Sequence, residues 1–355
     1  MAAAGRGTGM KRNIRLSAAS AAHFLVDFSC AFAIYRNLPP AGRQAAFFLI
    51  YHLCALALQL PLGVAADRAR RNLALAAAGC LLAALGFVPL PAMLCAAVLG
   101  TGSALFHAGA GLEVLTDWPE TCAPLGLFIS PGAVGFYIGG MLGRAGLTPA
   151  LLPGALLAGA GAWLLAAQRA FRPNLRSENP PLTLPHLSIS ALAALGGLFA
   201  VAGFRSLVGL QLPLPWKNGA WGAAAACALT LGKAAGGFAA DRFGPARTAA
   251  VTLAASAALF CFAEHPVCGM AAIFLFNMSL PLTLTGAARL LPGARGSALG
   301  LLALALSLGL VPVYLGAPAL STAEAAGIAA LSGAVLAPAL RRRAGLPGPE
   351  TTART

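Results

Sequence analysis

A few side chains able to carry a proton or a charge stand inside stretches that are otherwise apolar: His23, Asp27, His107, Arg205 and Lys233, with Asn277 as a neutral hydrogen-bonding group. A charge in a membrane-spanning helix costs at least ~2.5 kcal/mol, so each of these needs a partner or a wetted cavity. His23 and Asp27 are four residues apart, which on a helix places them one turn apart on one face. With a helix beginning near residue 14, the 1.5 Å rise sets Asp27 ~18 Å in, close to mid-membrane. It is the one carboxylate deep in an apolar run, and a proton carrier or ion-pair partner is the role expected of it, against the plainer role of a hydrogen-bonded structural acid. His107 shares a face with Gly100 and Ser103, a small and polar stripe suited to a cavity or a tight helix contact. His23 and His107 join Asp27 as proton-coupling candidates, although a lone membrane histidine is more often a packing residue, and His52 is assigned no role.

Arg205 and Lys233 set two cations against one carboxylate. A surplus buried positive charge is expensive unless an anion visits it. Substrate contact is therefore expected of Arg205 and Lys233, with neutralisation of Asp27 or binding of backbone carbonyls as the bland alternative. Asn277 is placed with them, four residues before a kink expected at Pro281.

A second kind of chemistry recurs. Gly63-Val-Ala-Ala-Asp67-Arg68 returns as Gly237-Phe-Ala-Ala-Asp241-Arg242, and each copy closes one apolar run and precedes another. One charged cassette in each half of a chain is the mark of a duplicated transporter. Each Asp falls at the C-terminal end of a helix, where the macrodipole disfavours a carboxylate by a few tenths to ~1 kcal/mol. Compensation is expected from the neighbouring arginines or from the positive N-terminus of a helix starting on the same side, such as the one near Gly296 and Ser297. Gly63, Asp67, Arg68, Arg71, Gly237, Asp241, Arg242 and Arg247 are thus read as a conformational latch holding the two halves together. The plain alternative is a pair of solvated turns.

The elements that must position these groups are membrane helices. The chain is 59% hydrophobic and only 10% charged over 355 residues, with a mean hydropathy of +0.79. So few charges could not cover a water-soluble domain. Dividing the apolar runs at Pro, Gly and charged breaks gives twelve spans of about the ~20 residues a bilayer requires: 14–36, 43–66, 72–90, 92–114, 122–143, 147–168, 187–211, 219–240, 246–263, 267–288, 296–317 and 320–340. The fold class expected is all-α and integral to the membrane, with a six-helix bundle over 1–168, a linker over 169–186, a second bundle over 187–340 and a tail over 341–355. Loops are too brief for an extramembrane domain. With the N-terminus inside, eighteen Lys and Arg face the cytoplasm and four (Arg36, Arg43, Arg144, Lys217) face out. The positive-inside rule then puts both ends in the cytoplasm. The net charge of +14 reads as topology, and no basic stripe with interleaved aromatics points to nucleic acid. The eight cysteines are dispersed, without C-x-x-C or metal-ligand spacing, and no metal is expected. The opening segment reads as an uncleaved first helix. Arg outnumbers Lys 21 to 3, which suggests a GC-rich bacterial genome and so a bacterial inner membrane.

The cassette resembles the signature loop G-x-x-x-D-R-x-G-R-R of the major facilitator superfamily. The second copy keeps the later glycine as Gly244, whereas Arg70 occupies that place in the first. Other motifs resemble the fosmidomycin resistance branch: His23-Phe-Leu-Val-Asp27, Tyr51 with Gln59-Leu-Pro-Leu-Gly63, Gly100-Thr-Gly-Ser-Ala-Leu-Phe-His107, Gly126-Leu-Phe-Ile-Ser-Pro-Gly-Ala-Val-Gly135 and Arg205-Ser206. The resemblance implies two six-helix bundles around a cavity lined by helices 1, 4, 7 and 10. It further implies alternating access, proton-coupled export of a drug or anionic metabolite, a monomer, and no cofactor beyond the proton gradient. Gln59 joins the substrate-contact set on this ground. Gly135, Gly139 and Gly143 form a small-residue face for helix packing, and a glycine-rich fifth helix is associated with exporters in the family. The arginine that many antiporters carry in helix 4 is missing.

Two rivals remain at this stage. An intramembrane enzyme would use the acidic turn Glu113-Val-Leu-Thr-Asp117-Trp-Pro-Glu120, whose three carboxylates could hold a divalent ion. No nucleophile or histidine lies nearby in sequence, so a solvated loop is the plainer reading. The other rival is a signalling or scaffold protein derived from a transporter. Solute counterflow separates all three.

Overall fold

Proline and glycine decide where this Ala- and Leu-rich chain breaks its helices. The computed structural model describes residues 2–146, 149, 151–171, 180–185 and 187–342, with only the backbone of residues 2–8 and 171. Half of the expected linker (172–179 and 186) and the tail beyond Arg342 therefore lie outside the described residues. The helices run α1 Ala2–Arg36, α2 Ala41–His52, α3 Gln59–Ala69, α4 Asn72–Ala84, α5 Ala92–Asp117, α6 Ala123–Ala145, α7 Leu152–Phe171, α8 Ile189–Gln211, α9 Gly219–Phe243, α10 Pro245–Phe260, α11 Pro266–Asn277, α12 Ser279–Leu290, α13 Arg295–Tyr314 and α14 Thr322–Ala339. No strand occurs among the described residues. Nine helical stretches among them are long and apolar enough to cross a membrane, counting Ala41–Ala69 and Pro266–Leu290 as one each.

Both composite stretches have a chemical reason. Pro61 has no N–H to give the carbonyl four residues before it. The chain answers with a π-helical turn, Leu53–Ala57, between α2 and α3, a device that often marks a functional site. Pro281 does the same to the Asn277 carbonyl, and α11 gives way to α12 at Met278. The predicted span 267–288 is thus a broken helix, and its break lies three residues before the expected proline kink.

Buried apolar side chains collect in two clusters. One draws on α1, α2, α4, α5, α6 and α7 and reaches Ala288 and Leu299, and the other draws on α8 to α14 and reaches Cys122. The two halves of the chain meet chiefly where α3 lies along α13 and where α6 lies along α9. Within the first cluster α6 packs closely on α1: a methyl at Gly135, Gly139 or Gly143 would overlap the backbone of Phe24, Phe28 or Phe32. The glycine face read from the sequence is this contact.

Arg70 ends α3 in the left-handed conformation, at φ 55° and ψ 38°, which costs a non-glycine residue roughly 1–2 kcal/mol. The first cassette therefore makes its turn without the expected glycine. In the second, Gly244 has φ 87°.

Candidate functional site

Between the two clusters lies a cavity of about 270 Å³ whose wall combines His23 and Asp27 of α1, His107 of α5, Lys233 of α9, and apolar side chains of α6, α12 and α13. The three proton-coupling candidates converge there. Asp27 Oδ2 lies 3.2 Å from His23 Nε2, and Asp27 Oδ1 lies 3.6 Å from His107 Nε2. The two Nε2 atoms are themselves 2.9 Å apart. His23 Nδ1 lies 2.9 Å from the Phe128 carbonyl, and His107 Nδ1 lies 2.8 Å from the Ser103 carbonyl.

The two carbonyl contacts select the tautomers. A carbonyl only accepts, so each Nδ1 carries a hydrogen and donates it. In a neutral imidazole the remaining Nε2 is then a bare lone pair. Two lone pairs at 2.9 Å repel unless a cation sits between them, and one proton shared by the pair makes an N–H···N bond beside the Asp27 carboxylate. Gly132 backs the trio, where a methyl would overlap Asp27 Oδ2 and His23 Nε2.

The substrate-contact candidates divide. Lys233 lines the cavity without closing a salt bridge to Asp27, and Gln59 lines it while its Nε2 donates to the Ala55 carbonyl at 2.7 Å. Arg205 is elsewhere. It is buried, donates to Asn277 Oδ1 at 2.9 Å, to the Phe276 carbonyl at 2.7 Å and to Ser279 Oγ, and lies over the Phe276 ring. The guanidinium thus satisfies the polar groups released where α11 breaks into α12. Of the two cations expected to contact substrate, the structure brings Lys233 to the cavity, while Arg205 binds a backbone carbonyl, the alternative weighed for it. Asn277 lines a separate cavity, also about 270 Å³, together with Lys217. Burial holds the Lys217 ammonium below its ordinary pKa. We expect Arg205→Ala to lower thermal stability by about 2–4 kcal/mol, because it orphans buried acceptors that held a charged donor. Unchanged melting of the detergent-solubilised variant would return Arg205 to a binding role.

The cassettes are reciprocal. Asp67, at the end of α3, accepts from the Gly296 and Ser297 backbone N–H groups and from Ser297 Oγ, all at 2.8 Å, at the start of α13. Asp241, at the end of α9, accepts from the Cys122 and Ala123 N–H groups at 2.7 and 2.9 Å, at the start of α6. Each carboxylate leaves the negative end of its own helix and caps the positive end of a helix from the other half of the chain. The cassette glycines permit the approach: a side chain at Gly63 would strike Gly296, and one at Gly237 would strike Cys122 and Ala123. The first cap is the deeper, since Asp67 is 3% exposed while Asp241 is exposed. The arginines do not share in it. Arg68, Arg71, Arg242 and Arg247 are exposed, and among the described residues none pairs with either Asp. Of the two kinds of partner expected for these carboxylates, the arginines and the helix N-termini, the structure shows the N-termini.

Two contacts at this end escaped the sequence. Arg289 of α12 donates to the Glu120 carbonyl and lies 4.0 Å from its carboxylate, joining the two clusters again. Arg15 grips Asp117 through both oxygens, at 2.7 to 2.9 Å, and lies 3.4 Å from Glu113, to which Asn72 also donates. Glu113 and Asp117 are each 2% exposed. Two carboxylates of the acidic turn, Glu113 and Asp117, are therefore not solvated as expected but buried and held by an arginine about a hundred residues away in sequence, while Glu120 is exposed.

No family model matches the chain, and neither does any curated protein. Solved structures do. The chain is similar to the major facilitator superfamily transporter FucP in its outward conformation, at TM-score 0.64 and 14% identity, covering 93% of this chain and 99% of that one. It is similar to a variant of the E. coli fucose:proton symporter FucP at 0.61 and 13%, covering 93% and 98%. It also matches the human organic anion transporter MFSD10 (TETRAN) at 0.59 and 14%, covering 92% and 99%. At such identities the likeness establishes the fold.

Proposed function

We propose that this chain, built on the major facilitator fold, is a proton-coupled secondary transporter of a bacterial inner membrane that exports a small anionic solute by alternating access. The observation that carries the reading is a cavity between the two helical clusters whose largely apolar wall carries His23, Asp27, His107 and Lys233, with the end beneath it closed by reciprocal carboxylate caps. A cavity enclosed by such breakable contacts can exchange access from one side to the other. In this reading twelve spans form bundles over 1–168 and 187–340, joined by a linker over 169–186. Both chain ends and the capped face lie in the cytoplasm. His23, Asp27 and His107 hold the coupling proton, Lys233 attracts the anionic group, and Gln59 offers a hydrogen bond. Two of the similar structures, a sugar:proton symporter and an organic anion transporter, make both parts of the reading chemically reasonable on this architecture. The fosmidomycin-resistance branch supplies the export direction.

One observation favours a different sense of coupling. Lys233 and the trio share a cavity, so a proton on the trio leaves that cavity with a surplus positive charge that an anion relieves. Proton and anion then bind cooperatively, as in a symporter, whereas an antiporter needs them to exclude each other. The titratable groups facing this site are His23, Asp27, Tyr51, His52, His107 and Lys233. Reconstituted protein screened against a panel of small organic anions separates the two senses. Affinity that rises on acidification assigns symport, affinity that falls assigns antiport, and failure of every solute to show counterflow rejects transport by this site.

Topology has its own test. A reporter active only in the periplasm, fused after residue 178 or after residue 350, should be silent, as the basic-residue count requires. Signal at either position contradicts the twelve-span arrangement.

A further inference from the structure

We propose that His23, Asp27 and His107 form a binding site for a first-row divalent transition-metal ion, with both Nε2 atoms and one Asp27 oxygen as ligands. The three ligand groups lie within 4.8 Å of one another. The closest separations are 2.9 Å between the two Nε2 atoms, 3.2 Å from His23 Nε2 to Asp27 Oδ2 and 3.6 Å from His107 Nε2 to Asp27 Oδ1, so the carboxylate turns a different oxygen to each imidazole and must rotate to offer one oxygen to the ion. Around one zinc-like ion, bonds of ~2.1 Å set neighbouring ligand atoms about 3.0 to 3.4 Å apart, so the trio needs only small adjustments to surround it.

A second observation points the same way. Metal-bound histidines almost always donate the other ring N–H to a carbonyl or carboxylate, which fixes the tautomer and turns the free nitrogen to the ion. Both histidines do this here, to Phe128 and Ser103. Two imidazole lone pairs are thus aimed at one point beside a carboxylate, on a wall that Gly132 leaves clear. The remaining coordination positions face the cavity, where water or a solute group completes them. Imidazole with a single carboxylate suits zinc, cobalt, nickel or copper, and magnesium and calcium, which need oxygen donors, are not expected. Lys233 faces the same cavity and weakens the binding of any cation. The metal seeks the lone pairs that hold the proton, so a bound ion displaces it. The site does not rest on the transport reading, because binding is measured on purified protein without solute movement.

The test uses tag-free protein in detergent with its cysteines alkylated, titrated with Co²⁺ and with Zn²⁺. One saturable ion per chain is expected, with a cobalt spectrum of nitrogen and oxygen ligation and no thiolate charge-transfer band. His23→Gln, His107→Gln and Asp27→Asn should each weaken binding at least about tenfold, as loss of a ligand requires. Lys233→Met should tighten it severalfold, an effect of opposite sign that a general loss of structure would not give. If the ligand variants do not fold, pulsed EPR of the Cu²⁺-loaded unmodified sequence decides: two imidazoles on the ion support the site. Absence of saturable binding, a thiolate signature, a single imidazole, or equal affinity in all the folded ligand variants overturns it.

Discussion

If His23, Asp27 and His107 carry the coupling proton as proposed, Asp27→Asn is expected to abolish transport driven by a pH gradient while solute exchange without a gradient continues. The variant keeps the side-chain volume and removes the carboxylate that lies 3.2 Å from His23 Nε2. The imidazole pair can then take up its shared proton only by holding an unbalanced charge at membrane depth. Such an uncompensated charge costs at least ~2.5 kcal/mol at that depth, which opposes loading of the proton. Lys233 remains, so the anion still has a contact and can exchange down its own gradient. Proteoliposomes with an imposed pH difference, assayed beside counterflow at uniform pH, separate the two activities. Full pH-driven transport by the variant removes Asp27 from the coupling role.

The second large effect is on the capped face, and it is unequal. Asp67→Asn weakens three bonds made by a buried carboxylate, whereas Asp241→Asn weakens two made by an exposed one. Bonds to a charged group are worth about 1.5–3 kcal/mol each when desolvated. Asn keeps one acceptor oxygen, so a net loss of about 2 kcal/mol at Asp67 is expected, which shifts the open-to-closed ratio of that face by about 30-fold. The exposed Asp241 should shift it only severalfold. Labelling rates of single cysteines placed along the face of α13 that meets α3 report this ratio. Equal rates in the unmodified sequence and both variants would reduce the cassettes to signals of topology.

Much of this arrangement is legible in the residues themselves. The duplicated cassette identifies where the halves meet, and the helix macrodipole leads from Asp67 to the N-terminus at Gly296 and Ser297, where the carboxylate is found. A four-residue spacing suffices to put His23 beside Asp27. What a single chain does not state is which groups on separate helices meet. His23 and His107 lie 84 positions apart, and only the packing of α1, α5 and α6 makes them neighbours. Arg205 shows the converse. Its residue type and depth suggest a site for an anion, yet the Phe276 carbonyl freed at a helix break satisfies it instead, and Pro281 signals the break without saying which side chain will fill it. The carboxylates at Glu113 and Asp117 look solvated in sequence because Arg15, which holds them, stands about a hundred positions earlier in the chain. In each case helix type and depth follow from local pattern, while rotation about the helix axis follows from contacts that are remote in sequence.

Alternating access means that the two ends of the cavity open in turn. Spin labels at Arg68 and Arg242 report the capped end, and labels at Arg43 and Leu315 report the opposite end; all four residues are exposed. Distance distributions in lipid, recorded across a pH series and again with Asp67→Asn, are the most direct measurement. The account predicts two populations for each pair, with the 68–242 distance lengthening as the 43–315 distance shortens, and Asp67→Asn moving both toward the state open at the capped end. Single distances that stay fixed at every pH and in the variant would contradict it.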